Sequence, residues 1–174
     1  YVIVGEVRGK EAFVLFQGMA SGHPSISTMH ADSVDTLIKR LETPPIELSP
    51  TLVNSLDCVA IMTHAVVKNH ETRRLREIVE IINAKDDGTA LVNTPFAWNA
   101  AQDIFYFKKE SKVFEKISVR YGLSMQQLQQ EFVRRARLLY TLYQKRVFGF
   151  DEVRKIITDY YRNPQEVMQK YGLQ

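Results

Sequence analysis

The chain has 174 residues, 45% of them apolar and 25% charged, the make-up of a globular protein with one core or a core and a helical annex. No apolar run in it approaches the roughly 20 residues of a membrane-spanning helix, and no signal-peptide pattern is present. Its lone Cys58 rules out an intrachain disulfide and a cysteine-built zinc site, and its net charge of +3 is too small to dictate a partner.

Residues 1–4 (YVIV) are all apolar, the pattern of a strand covered on both faces in a parallel sheet. A chain that opens on Tyr inside such a run is expected to be a piece of a longer protein. Residues 10–21, apolar on most sides, suit a crossover helix against that sheet, with Gly22 as its stop. Residues 24–29 return to strand. Asp32 is expected to cap the next helix, where Val34, Leu37, Ile38 and Leu41 fall at i, i+3, i+4 and i+7. The order β-α-β-α makes this a piece of an α/β sheet.

Thr43-Pro44-Pro45 breaks the chain, and Ser49-Pro50 opens a short helix. Three β-rich runs follow, over 58–67, 73–83 and 89–98, with a fourth over 104–107. Basic 70–76 separates the first two, and Asp86-Asp87-Gly88 makes a hairpin turn between the next pair.

From Ser111 the pattern is helical. One helix runs from Ser111 to Gly122, and a second opens on a capping box at Ser124 and Gln127. The second carries the stripe Met125, Leu128, Phe132, Ala136, Leu139, Tyr143. A third is marked by Val153, Ile156, Ile157, Tyr160 and Tyr161, and Asn163-Pro164 caps the last. RYGLS at 120–124 and KYGLQ at 170–174 read as two helix ends with glycine past the last turn. Residues 124–174 hold nine Lys/Arg against five Asp/Glu, whereas 1–123 hold 14 against 15. The basic part suits nucleic acid, anionic lipid or an acidic protein face, and equally suits solvated helix faces.

Glu6 follows the first strand, at the carboxyl edge where parallel sheets bind ligands. In phosphoryl-transfer enzymes of this layout, an acidic residue there sits beside the magnesium ion and the attacking water. Arg8 either answers phosphate charge or holds Glu6. The plainer alternative is a surface turn with an incidental salt bridge.

GEVRGKEA followed by GHPSISTMHADS resembles the Walker B and histidine boxes of the secretion ATPase superfamily, the hexameric motors of type II and type IV secretion, pili and the archaellum. RRLREIVEI, FAW and the GLS…L and DYYRNP segments look like its archaeal branch. The resemblance implies a RecA-like P-loop NTPase sheet followed by an all-helical part. Residues 1–110 would then be the C-terminal half of the ATPase domain, and 111–174 a helical subdomain.

It makes Glu6 the catalytic carboxylate and a contact to Mg²⁺ in the intact protein. It makes His30 the residue that faces the terminal phosphate of ATP, with Arg8 and His23 in the same two boxes. Arg73, Arg74 and Arg76 are candidates for subunit contacts or phosphate steering, and equally for solvent-facing strand positions. Glu11 belongs to the same segment, or serves only the helix start. The sequence contains no GxxxxGK[ST], so this chain alone is expected to bind ATP poorly and to be inactive.

Further implications are a homo-oligomeric ring, a membrane platform protein as partner, and a place at the cytoplasmic face of the membrane. No specific nucleic acid is expected. Two other readings stay open: an inactive assembly module of the same fold, and a helical nucleic-acid-binding domain built on Arg134, Arg135 and Arg137.

Overall fold

The computed structural model describes residues 1–108 and 110–173, and they divide into two units, Tyr1–Lys116 and Ile117–Gln174. The first unit is mixed α/β. Its opening strands β1 (Val2–Val4) and β2 (Ser25–Ser27) pair in parallel, with Val2 opposite Ser25 and Val4 opposite Ser27. The helix α1 (Glu11–Ala20) makes the crossover and buries Ala12, Leu15 and Phe16, a stripe at i, i+3, i+4.

Two expectations are corrected here. The first strand is not covered on both faces, since Ile3 is 72% exposed and only Val4 packs on the core. Likewise α1 buries one face alone, leaving Phe13 and Val14 exposed. In both cases the described residues supply one packing partner where the pattern anticipated two.

The next helix, α2 (Val34–Glu42), is capped by Ser33 rather than Asp32, because the Ser33 hydroxyl accepts from the Thr36 N–H. Its stripe Val34, Leu37, Ile38, Leu41 is buried as expected. Ser49 caps the short α3 (Pro50–Val53).

An antiparallel meander follows: β3 (Cys58–Val67), β4 (His70–Ala84), β5 (Ala90–Asn99) and β6 (Ile104–Phe107), in that spatial order. Residues 70–76 are not a separator but the first half of β4, with His70 opposite Val67 and Arg73 opposite His64. The reversal needs only Lys68 and Asn69, both in the left-handed region (φ 50° and 63°), the geometry of a two-residue hairpin. The β4–β5 turn lies at residues 85–89 as expected, with Gly88 at φ 75°. Ile61, Val79, Ile81 and Ala84 join α1, α2 and residues 46–53 in one core.

Helix α4 (Lys112–Tyr121) is tied to the meander through Glu80 on β4. This carboxylate is 3% exposed and accepts from Asn93 (2.8 Å), the N–H groups of Lys112 (2.7 Å) and Val113 (3.3 Å), and the Ser111 hydroxyl. Burial alone would push it up. The hydrogen bonds from Ser111, Asn93, Lys112 and Val113 outweigh that and hold it below the usual carboxylate range.

The second unit contains α5 (Met125–Gln144), α6 (Phe150–Arg162) and α7 (Pro164–Lys170), around Leu138, Leu142, Ile156, Tyr160, Val167 and Met168. The capping box at Ser124 and Gln127 and the Asn163 cap are present. Leu123 N–H to Ser118 C=O (3.2 Å) and Leu173 N–H to Met168 C=O (2.8 Å) close the two glycine-ended helices in the same way.

The expected α5 stripe is corrected: Leu139 and Tyr143 are exposed, and Leu138 and Leu142, one residue or about 100° round, are the buried pair. That face begins with Glu131, whose carboxylate accepts from the Tyr160 hydroxyl (3.0 Å), Arg135 (2.8 Å) and Arg134 (3.0 Å). Among α6 residues, Ile156 and Tyr160 are buried while Ile157 and Tyr161 are exposed.

Removing Glu80 strands several buried donors at once, so Glu80→Ala should cost about 2–4 kcal/mol in chemical denaturation. Because folding depresses the Glu80 pKa, its contribution is full above the unfolded value of about 4.3 and fades as pH falls below it. The stability gap between wild type and Glu80→Gln should therefore narrow from pH 6 to pH 3.

Candidate functional site

Parallel pairing sets the carboxyl ends of β1 and β2 side by side, and the ladder continues past both strands. Val7 N–H donates to Thr28 C=O at 2.9 Å, and the Thr28 hydroxyl donates to Gly5 C=O at 2.5 Å. This brings Glu6 and His30, 24 positions apart, into contact: His30 Nε2 lies 3.3 Å from Glu6 Oε1. Arg8 Nη2 donates to the other oxygen, Oε2, at 2.7 Å. The Arg8 hydrogen bond holds the Glu6 carboxyl below its usual range, with the charges of Arg8 and His30 adding to the effect. Glu6 is 28% exposed, while Arg8 and His30 stand open at 76% and 85%.

The backbone around these groups is pinned from several elements. Glu11, in the first turn of α1, accepts from the N–H groups of Arg8 (2.6 Å) and Gly9 (2.9 Å), which lowers its own pKa and fixes the loop that carries Arg8. From α2, Arg40 Nη1 donates to His30 C=O at 2.6 Å. From β4, Arg76 Nη2 donates to Asp32 C=O at 3.0 Å while also holding Glu77. Thr28 and Arg40 carry no signal as site residues, since they act on main-chain carbonyls and no local pattern marks such a contact. Arg76, a candidate for subunit contacts or phosphate steering, here holds a carbonyl of the site's backbone.

The other candidates lie elsewhere. His23 precedes β2, at the amino edge of the parallel pair, where Val2 N–H donates to Pro24 C=O. A three-residue strand, about 10 Å long, separates it from the Glu6 edge. It closes the end of α1 through its N–H to Gly18 C=O and is not part of the cluster.

Arg74, a candidate for subunit contacts or phosphate steering, has its guanidinium on Asp103 at 2.9 and 3.1 Å. Asp103 also accepts from Trp98 Nε1, and the Arg74 and Trp98 hydrogen bonds pull its pKa down to about 2. Arg73 is exposed on β4, and among the described residues its side chain makes no hydrogen bond or ion pair, while its C=O accepts from Arg74 Nη1 at 3.2 Å.

Among the described residues no three His, Cys, Asp or Glu side chains converge as a metal cage. Glu6 offers one carboxylate, which suits a magnesium ion held mainly by water and phosphate oxygens and no more than that. Chemically, the cluster is an ionised carboxylate beside an open imidazole and an open guanidinium, able to orient water and to meet an anion.

Residues 1–95 match the family described as Type II/IV secretion system protein. This chain belongs to that family. It is 34% identical over 162 residues to one uncharacterized protein of Methanocaldococcus jannaschii and 32% identical over 171 residues to another. Those alignments cover 92% and 95% of this chain but only 59% and 31% of the relatives. It is also 30% identical over 82 residues to the conjugal transfer protein TrbB of Rhizobium radiobacter, covering 46% of this chain and 25% of that protein. The family match lies within the mixed α/β unit, and no described helix is long and apolar enough to cross a membrane.

Arg8→Ala should raise the Glu6 carboxyl toward the usual glutamate range in a ¹³C NMR titration. Glu11, held by backbone N–H groups, should move much less. An unchanged Glu6 midpoint would contradict the Arg8 assignment.

Proposed function

We propose that this chain is the C-terminal part of a hexameric ATPase that powers protein secretion or the assembly of a pilus or archaellum. In this reading residues 1–110 complete the RecA-like nucleotide site and 111–174 form a helical subdomain that meets neighbouring subunits or a membrane platform protein at the cytoplasmic face. The observation that carries it is the contact of Glu6 with His30 across two parallel strand ends, in a chain of the secretion family.

Glu6 orients and deprotonates the attacking water. His30, open on one side and resting on Glu6 on the other, donates to the terminal phosphate and reports its presence. Arg8 holds the Glu6 carboxylate in place until nucleotide arrives, then is free to meet phosphate charge. Mg²⁺, when bound with ATP, supplies charge neutralisation at the phosphates, and the lysine and backbone cradle of a phosphate-binding loop lie outside this sequence. Arg73, with an exposed and uncommitted side chain, fits a subunit contact better than Arg74, whose guanidinium rests on Asp103.

In the longer protein, Glu6→Gln should lower kcat for ATP hydrolysis by roughly 10²–10⁴ with nucleotide affinity kept. A wild-type rate in that variant would remove the reading. The parallel pair leaves Tyr1, Val2, Ile3 and Ile26 exposed beside an open strand edge, which favours pairing of the isolated chain with a second copy. Light scattering should accordingly show concentration-dependent self-association of the 174-residue chain, and a strict monomer would count against it.

A further inference from the structure

Within the helical unit, α5 and α7 wall a groove of about 860 Å³, inside the ~300–1,000 Å³ range of built ligand sites. Its lining includes Gln126, Gln129 and Gln130 from α5 and Gln165 and Gln169 from α7, with Arg137 on the same α5 face. Among the described residues, none of these five side-chain amides makes a hydrogen bond, and Arg137 makes neither a hydrogen bond nor an ion pair. Its neighbours Arg134 and Arg135 differ, both being committed to Glu131. Val133, Met168 and Leu173 give the groove an apolar strip. Residues 117–174 carry ten Lys/Arg against five Asp/Glu, so the groove lies on a unit of net positive charge, and none of the described acids pairs with Arg137.

We propose that this groove binds an acidic peptide segment of a partner protein in extended form. Each glutamine amide offers one acceptor and a donor pair, matching the N–H and C=O groups that an extended main chain presents along its length. Arg137 takes a carboxylate of the peptide in a two-point hydrogen bond, and the Val133–Met168–Leu173 strip takes one apolar side chain. Nucleic acid fits less well. A phosphate backbone calls for a row of cations, and this lining has one uncommitted guanidinium among neutral amides. The inference rests on the helical unit and needs no nucleotide chemistry, so it stands or falls separately from the ATPase reading.

The test uses the whole 174-residue chain and a fluorescein-labelled octapeptide of alternating glutamate and leucine, with ¹⁵N NMR of the glutamine side-chain amides. Saturable binding should shift the amides of Gln126, Gln129, Gln130, Gln165 and Gln169, and leave those of Gln17, Gln102 and Gln144 in place. Arg137→Glu should weaken binding at least tenfold and Arg137→Gln several-fold. Arg154→Glu, which changes a cation of α6 outside the groove lining, should stay within twofold, and a lysine–leucine peptide should not bind. Absence of saturable binding overturns the proposal. So does equal weakening by Arg137→Glu and Arg154→Glu, which would mean general charge attraction. Displacement of the peptide by a single-stranded oligonucleotide at equal charge concentration would overturn it in favour of a nucleic-acid face.

Discussion

The parallel pairing of β1 with β2 is the constraint on which the candidate site depends, because it alone brings positions 6 and 30 to one edge. Yet the ladder has three residue pairs, and each net hydrogen bond contributes only about 0.5–1.5 kcal/mol. Two strands this short do not hold themselves together in water. Burial of α1 stabilises the pair more: Leu15 and Phe16, both almost fully enclosed, each contribute about 1.5–3 kcal/mol by leaving water. The crossover helix is therefore what fixes the strand ends, and the site is a consequence of core packing by residues that take no part in its chemistry.

Once the strand ends are set, the side chains at the site are oriented by hydrogen bonds to the backbone more than by ion pairing. Glu11 fastens the Arg8–Gly9 turn, Thr28 fastens Gly5, and Arg40 and Arg76 fasten the His30–Asp32 segment from two further elements. The exposed Arg8–Glu6 pair adds little stability in high dielectric and screening salt. Its consequence is positional: Arg8 holds one carboxylate oxygen of Glu6 while the other lies beside His30. Arg76 also joins the antiparallel meander to the loop after His30, so the β-rich region is physically connected to the site's backbone.

Two carboxylates organise the remainder. Glu80 collects β4, β5 and the start of α4, and Glu131 collects α5 and α6 through Tyr160 and two arginines. Each withstands burial because its oxygens are satisfied by several donors. Glu131 also explains why the buried face of α5 was misread. A face that starts with a charged residue scores as solvent-facing, while the more continuous apolar row beside it, with Leu139 and Tyr143, stays in water.

The resemblance of two sequence boxes singled out Glu6 and His30 as candidates, while the sequence by itself determined the element order, the caps at Ser49, Ser124 and Asn163, and the glycine-closed helix ends. These are local: hydrophobic spacing, a hydroxyl three residues ahead of an N–H, a glycine where φ turns positive. Two-residue reversal at Lys68-Asn69 was hidden because lysine is no signature of the left-handed region. Tertiary structure alone decided that His23 closes a helix at the opposite edge, that Arg74 belongs to Asp103, and that Arg40 and Arg76 serve the site. It also decided which helix faces are covered. All of these depend on which distant segment arrives as the hydrogen-bonding or packing partner, and the pattern along a single segment holds no record of that.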